Sequence, residues 1–245
     1  MPTDVRCLVE SDERYALVRL IGVLDLPAAE SVRSALLTCL ADQPDAVVVD
    51  VSQLLVQETA ALSIFTAVVR ETAQWPIGQL MLCAPPSDAD AVWAQAEVAV
   101  TPTRQAALAQ LTDPASATRL SVELTPVAGS ARRARELVTE GCTRWGLPEL
   151  AGSACIAITE MVNNAVAHAQ TPMTVRLALR NGALHVAVRD FSRQQPSYDG
   201  RVSPKTCGGR GLLLIDTVAR RWGSTPLRDG KVVWAVLHPE DEAAE

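Results

Sequence analysis

The segment TEMVNNAVAHA, residues 159–169, is the most informative part of the sequence. It lies in a segment with the apolar spacing of a buried helix, yet it contains a glutamate, two adjacent asparagines and a histidine. Glu160, Asn164 and His168 recur at every fourth position, so the pattern predicts one polar stripe along the helix. The side chains expected to face inward are Ile156, Ala157, Val162 and Ala165. A solvated helix face is the simplest interpretation of this stripe, and a binding site is the alternative.

Two motifs that follow in the chain favour a binding site. The predicted strand VAVRD (186–190) ends in Asp190, whose carboxylate can accept a hydrogen bond from the exocyclic amine of an adenine. The segment CGGRGLLLID (207–216) places Gly208, Gly209 and Gly211 immediately before a predicted helix. Without side chains, the backbone N–H groups and the helix N-terminus can approach phosphates. Taken by itself, such a glycine cluster is as often a simple turn.

The three motifs together resemble the ATP-binding fold shared by gyrase, histidine kinases and the ninety-kilodalton heat-shock chaperone, the GHKL superfamily. The resemblance covers about residues 120–238 and is greatest to the bacterial anti-sigma-factor serine/threonine kinases. It implies ATP and Mg²⁺ as cofactors, with Glu160 as the catalytic general base and Asn164 as the metal ligand. The residues that it places at the cofactor are Asn164, Asp190, Gly209, Arg210 and Gly211.

Some neighbours of these motifs have more than one interpretation. Asn163 is expected to be structural, and His168 to form a local hydrogen bond at the helix end. Arg210 either contacts phosphate or is exposed. After Asp190 the chain reads FSRQQPSYDG, with Phe191 and Ser192 where the family usually has a glycine-containing turn.

The first half of the chain resembles a STAS domain, the fold of anti-sigma-factor antagonists, over about residues 5–112. In that family a Ser or Thr near the start of the helix after the central strand is the kinase acceptor. The segment ETAAL (58–62) occupies this place and makes Thr59 the candidate phosphoacceptor. A helix start suits a phosphate electrostatically. The alternative is that Thr59 is an N-cap and that the phosphorylation switch has been lost.

The spacing of apolar residues predicts an α/β protein. An opening hairpin, DAVVVDVS (45–52) and GQLMLCAPP (78–86) are predicted strands, with helices between them and at 105–111. Further on, two helices precede a hairpin with Asn181-Gly182 at its turn, then a helix from 211 and a last strand KVVWAVL. We therefore predict a STAS-like mixed sheet with helices (1–112), a linker (113–119) and a GHKL α/β sandwich (120–240).

Composition narrows the classes of function. The formal net charge of -6 argues against generic binding to nucleic acid or to an anionic membrane. The start of the chain does not resemble a signal peptide, and no run of about 18 uninterrupted apolar residues follows, so a cytoplasmic protein is expected. The six cysteines are far apart, which predicts reduced core residues and no zinc site or disulfide framework.

Two functional hypotheses follow from these resemblances. The first is a bacterial partner-switching regulator that binds ATP and Mg²⁺ and phosphorylates STAS-domain antagonists, with a sigma factor or such an antagonist as partner. The second is a non-catalytic anti-sigma or scaffold module with a degenerate nucleotide site, which the altered ETAAL segment and Phe191 favour. A homodimer is an expectation from the resemblance.

Overall fold

The structure is a computed structural model that describes residues 5–11, 15–42, 44, 46–73, 79–86, 90–111, 119–195 and 209–239. The chain divides into two compact units, Met1–Asp113 and Pro114–Glu245.

The N-terminal unit is a five-stranded sheet in the order β1-β2-β3-β4-β5. β1 and β2 form the predicted antiparallel hairpin, and β2 to β5 run parallel to their neighbours. Its elements are β1 (Arg6–Ser11), β2 (Tyr15–Leu24), α1 (Leu26–Ala41), β3 (Ala46–Val56), a 3₁₀ turn (Thr59–Leu62), α2 (Ser63–Glu71), β4 (Gln79–Cys83), α3 (Asp90–Trp93), a 3₁₀ turn (Ala94–Ala96), β5 (Ala99–Thr101) and α4 (Arg104–Ala109).

Local chemistry explains where the first helix begins. Asp25 is the N-cap of α1, and its Oδ1 accepts a hydrogen bond of 2.8 Å from the N–H of Ala28. Pro27 lies in the first turn, where its missing N–H costs nothing. Buried residues such as Val32, Leu36 and Leu40 recur on one face of α1, whereas Ala35 is only partly buried.

The C-terminal unit is an antiparallel sheet in the order β6-β7-β8-β10-β9. Alternate residues of its strands, such as Val175, Val186 and Ala235, form a core under helices α5, α6 and α7, so the predicted mixed sheet followed by an α/β sandwich is confirmed. Its elements are β6 (Arg119–Leu124), α5 (Ser130–Trp145), a 3₁₀ turn (Pro148–Leu150), α6 (Ala151–Asn164), a π-helical turn (Ala165–Ala169), β7 (Met173–Arg180), β8 (Ala183–Asp190), α7 (Gly209–Val218), β9 (Arg221–Leu227) and β10 (Gly230–Leu237).

The β7–β8 hairpin has the turn that its sequence predicts. Asn181 and Gly182 both have positive φ angles, 51° and 75°, which a two-residue hairpin loop of this type requires. The turn sets the register Arg180↔Ala183 and, at the far end of the ladder, Met173↔Asp190. Asp190 therefore lies at the end of a buried strand.

One helix, α3, and two strands, β5 and β9, were not predicted. The short α3 and β5 lie in 87–104, a segment without a clear period. The sequence predicts a helix from 211 and no strand between it and KVVWAVL, but α7 ends at Val218, and Arg221 to Gly223 pair with β10. A Cβ at Gly223 would lie 2.7 Å from Trp234, so the ring covers this part of β9.

The buried cysteines behave as core residues. Cys39, Cys83 and Cys142 are buried, and Cys7 and Cys155 are partly buried. Burial raises the pKa of the Cys83 and Cys142 thiols to about 11, so both stay protonated and unreactive near neutral pH. Cys207 lies outside the described residues. Within the described ranges, no group of three His, Cys, Asp or Glu side chains could hold a metal ion.

The helical segment Pro148–Ala169 is long and apolar enough to cross a membrane by length and composition. In the fold it is a core helix, because Ala157, Ile158 and Met161 are buried against the sheet of the C-terminal unit.

Candidate nucleotide site

Helix α6 presents the polar stripe at the edge of the core. Glu160 and Asn164 are each partly buried, while Asn163 is exposed. Ala157, Val162 and Ala165 face inward as predicted. Ile156 does not, and 41% of it is exposed. It precedes Glu160 by four residues, so it shares the face of the polar stripe and not that of the core.

A π-helical turn ends the stripe. The N–H of Gln170 donates to the carbonyl of Ala165, an i→i+5 hydrogen bond that widens the turn over Ala165–Ala169. Because this turn departs from the α-helical period, His168 does not continue the alignment of Glu160 and Asn164, and its side chain is exposed. The predicted stripe of three side chains therefore reduces to two.

The start of α7 lies directly against Glu160. A Cβ at Gly211 would lie 2.6 Å from Glu160 Oε2, so only a glycine leaves room for the carboxylate as it is placed. The helix begins at Gly209, earlier than predicted, which puts Gly209 and Gly211 in its first turn. The first N–H groups of a helix have no partner inside the helix and can bind an anion. Gly208 and the side chain of Arg210 lie outside the described residues.

Asp190 is held in a buried ion pair. It is 2% exposed, and its Oδ1 lies 2.9 Å from Lys231 Nζ on the neighbouring strand β10. The same oxygen accepts a hydrogen bond of 2.8 Å from the N–H of Ser192, while Lys231 also donates to the carbonyl of Ser192 at 3.2 Å. A Cβ at Gly230 would overlap the Asp190 carbonyl, so the two strands approach closely here.

Two further hydrogen bonds fix the segment after Asp190. The N–H of Phe191 donates to Thr171 Oγ1 at 3.0 Å, which joins the end of β8 to the residues that follow the π-helical turn. Ser224 on β9 donates to Gln195 Oε1 at 2.7 Å. The Phe191 ring lies under the guanidinium of Arg189 at 5.5 Å. Arg189 alternates with Asp190 along the strand and so lies on the opposite face of the sheet.

The sequence predictions missed Lys231 and Thr171. Lys231 begins the strand KVVWAVL. As the one charged residue in an otherwise apolar strand, it could have been recognised from the sequence as a candidate site residue. Thr171 had no sequence signal, because its role depends on the path of the chain after α6.

His185 lies in the middle of β8, one residue out of phase with Asp190. It is 1% exposed, and burial together with the nearby charges of Arg180, Arg221 and His238 lowers its pKa to about 4. His185 is therefore neutral at physiological pH.

The candidate phosphoacceptor lies on the N-terminal unit. Thr59 is exposed and is the first residue of the 3₁₀ turn, with Glu58 at the N-cap. The N–H of Gln57 donates to the carbonyl of Leu24 at 3.0 Å, which ties the preceding residues to the end of β2. Helix α2 begins only at Ser63, after Leu62 as N-cap, so Thr59 caps neither helix. Thr59 is therefore not an N-cap, and loss of the phosphorylation switch stays a prediction.

Comparison with protein-family models identifies both halves of the chain. Residues 7–104 match the STAS domain, and residues 124–237 match the histidine kinase-like ATPase domain. The chain is a STAS domain fused to a histidine kinase-like ATPase domain. The resemblances drawn from the sequence are thereby confirmed for the two domains.

Several solved structures match parts of the chain at low sequence identity. They include the RsbU and RsbW domains of a Mycobacterium tuberculosis protein (19% identity, TM-score 0.40, covering 51% of this chain and 33% of that one). An anti-sigma factor antagonist from Mycobacterium paratuberculosis has 22% identity and a TM-score of 0.38, over 46% of this chain and 98% of its own. A histidine kinase domain from Erythrobacter litoralis has 17% identity and a TM-score of 0.33, over 76% and 90%.

The present chain thus spans about a third of the Mycobacterium tuberculosis chain that it matches. Among curated proteins, none matches it.

Proposed function

We propose that the chain is a bacterial partner-switching regulator whose ATPase domain binds ATP with Mg²⁺ and phosphorylates a serine or threonine of a STAS domain. The observation that carries the proposal is the contact between the Glu160 carboxylate and Gly211 at the start of α7. It brings a carboxylate beside the N–H groups of a helix start, where the phosphates of a nucleotide would bind. A general base for the hydroxyl that receives the phosphoryl group would then lie next to the site that binds the phosphates.

Each predicted site residue has a role that its chemistry permits. Phosphoryl transfer depends on positioning and charge neutralisation, so a carboxylate that takes the acceptor proton can suffice as the base, and Glu160 would serve. Asn164, one turn further along α6, offers an amide oxygen. Mg²⁺ prefers oxygen ligands and usually keeps water and phosphate oxygens besides one or two protein ligands, so a single protein ligand fits it. Asp190 would accept a hydrogen bond from the adenine base of the nucleotide.

The fusion raises the effective concentration of the two domains for each other. Thr59 is the acceptor that we propose on the chain's own STAS domain, since its hydroxyl is exposed and is in no hydrogen bond among the described residues. A separate STAS-domain antagonist and a sigma factor are the proposed partners in trans. We further propose a cytoplasmic protein that forms a homodimer.

A second candidate function is a non-catalytic interaction module. The ion pair of Asp190 with Lys231 favours this function, because the carboxylate that would bind the adenine is already paired with an ammonium group. Such a module would hold a sigma factor or antagonist without turnover.

Calorimetric titration of the full chain with ATP, with and without Mg²⁺, tests the proposal. We expect Mg²⁺-dependent binding in the wild type. Glu160→Gln should retain this binding and lose transfer of labelled phosphate to STAS domains, because the amide cannot accept the proton. Glu140→Gln, which removes an exposed carboxylate paired with Arg144 on α5, is the matched control and should behave as wild type.

Mass spectrometry after incubation with ATP locates the acceptor. Phosphate on Thr59, lost in Thr59→Val, would support transfer to the chain's own STAS domain. ATP binding without phosphate on any STAS domain would favour the non-catalytic module, and absence of ATP binding would refute the nucleotide site.

A further inference from the structure

The Asp190–Lys231 pair lies on the helix-covered face of the sheet. Asp190 lies on the same face of β8 as Val186 and Val188. Lys231 lies on the same face of β10 as Val233. All three valines belong to the core under the helices. The two charged residues face each other in the ladder register, at the end of both strands. They are 2% and 7% exposed. A donor and an acceptor are therefore fixed side by side at the place assigned to the base.

The hydrogen bonds leave part of each group unused. An ammonium has three N–H groups, and Lys231 directs two of them to Asp190 Oδ1 and the Ser192 carbonyl. Within the described ranges the third has no acceptor. Both hydrogen bonds to the Asp190 carboxylate end on Oδ1, and Oδ2 accepts none from the described residues. Among the described residues, one N–H donor of Lys231 and one carboxylate oxygen of Asp190 are thus left for a ligand.

We propose that Lys231 sets the base selectivity of the site, so that it accepts guanine as well as adenine nucleotides. The inference rests on the proposed nucleotide binding. An aspartate without a partner offers only acceptors, which suit the 6-amino group of adenine and repel the O6 of guanine. With the ammonium beside it, O6 receives a hydrogen bond from Lys231 while the guanine N1–H donates to Asp190. In adenine the donor and the acceptor lie in the reverse order along the same edge of the ring, so the base shifts against the pair until its amino group donates to Asp190 and its N1 accepts from Lys231.

A purely structural role of Lys231 would be to neutralise Asp190, and two substitutions separate this role from base recognition. Lys231→Met and Lys231→Gln both remove the positive charge and leave Asp190 without its ion-pair partner. Glutamine keeps an N–H donor and methionine does not. A difference between the two variants in base preference therefore reports the hydrogen bond and not the charge.

The experiment measures the affinities of ATP, GTP and inosine triphosphate for the full chain with Mg²⁺, by calorimetric titration. Inosine has the O6 and N1–H of guanine without the 2-amino group, so it isolates the proposed contacts. We expect the wild type to bind all three within about tenfold of each other. Lys231→Met should weaken GTP and inosine triphosphate by ~100-fold relative to ATP, and Lys231→Gln by clearly less.

The proposal is overturned if the wild type rejects both GTP and inosine triphosphate by more than about 100-fold, or if both variants keep the wild-type ratios. These results would leave the proposed function intact, because ATP would still bind. A wild type that binds none of the three overturns both proposals. If Lys231→Met does not fold, as thermal unfolding would reveal, the wild-type ratios and Lys231→Gln decide the question.

Discussion

Replacing Gly211 by alanine tests whether the Glu160 carboxylate lies against the start of α7. The new Cβ would lie 2.6 Å from Glu160 Oε2 and 3.5 Å from its Cδ. Ordinary van der Waals contact begins at 3.4 Å, so the oxygen must retreat by 0.8 Å, the difference between 2.6 Å and 3.4 Å. The carboxylate is the far end of a flexible side chain, and we therefore expect the fold to absorb the methyl group.

Two opposing effects set the change in the free energy of unfolding. Alanine in place of glycine stabilises a helix by about 0.5–1 kcal/mol. Glu160 forced away from its preferred rotamer costs about 0.5–1.5 kcal/mol. Gly211→Ala should therefore lie within about 1 kcal/mol of the wild type. In a Glu160→Ala background the carboxylate oxygen is absent. Gly211→Ala should then raise the free energy of unfolding by the whole amount that alanine gains over glycine in a helix.

The assay is a double-mutant cycle by calorimetry on the full chain, with the transition of the ATPase domain fitted separately. The matched control is Gly152→Ala in α6, where a Cβ meets nothing within 4 Å. It should stabilise equally with and without Glu160. If Gly211→Ala and Glu160→Ala prove additive within about 0.3–0.5 kcal/mol, the two residues are not in contact and the proposed site loses its central observation.

The same displacement should affect catalysis more than stability. A misplacement of about 1 Å can cost on the order of 100-fold in rate. Gly211→Ala should therefore retain most of its folding stability and lose most of its phosphotransfer, while Gly152→Ala retains both. An unchanged transfer rate in Gly211→Ala would mean that Glu160 is not the base.

Three further predictions concern stability. Gly230→Ala should destabilise the ATPase domain by ~3 kcal/mol or more in calorimetry, because the Cβ overlaps backbone atoms of Asp190 that cannot move aside; a loss below about 1 kcal/mol would contradict the close approach of the strands. Acidification from pH 6.5 to 4 should cost about 1.4 kcal/mol per pH unit, because the unfolded chain protonates His185 while the folded one, whose pKa is lowered to about 4, does not. This slope should diminish in His185→Leu. Asp25→Ala should lower the free energy of unfolding of the STAS domain by about 1 kcal/mol, because the N–H of Ala28 loses its hydrogen-bond acceptor. Equal unfolding temperatures of the variant and the wild type would argue against that hydrogen bond.

Local rules were enough to predict much of the fold. The Asn181-Gly182 turn was readable because few residues adopt two successive positive φ angles. The α-helical period brought Glu160 and Asn164 onto one face, as the structure shows. It failed at His168, because a π-helical turn obeys a different period that the sequence does not signal.

The ion pair at Asp190 was beyond reach of sequence reasoning. Lys231 is 41 residues away in the chain, and the pair forms because β10 returns antiparallel beside β8 after α7 has intervened. Ile156 was assigned to the core by its chemistry, but its helix phase put it outside. Strand pairing over long sequence distances and the orientation of a helix face depend on the whole fold. They determine which residues form the site where composition and spacing cannot predict them.

Each sheet draws all its strands from one contiguous part of the chain, and the backbone passes from the first sheet to the second once, between α4 and β6. A break in the chain at this crossing would interrupt no hydrogen-bonded ladder of either sheet. Translation yields one STAS domain for every ATPase domain, whatever the expression level. A cell that uses this protein cannot alter that ratio within the chain by changing its transcription.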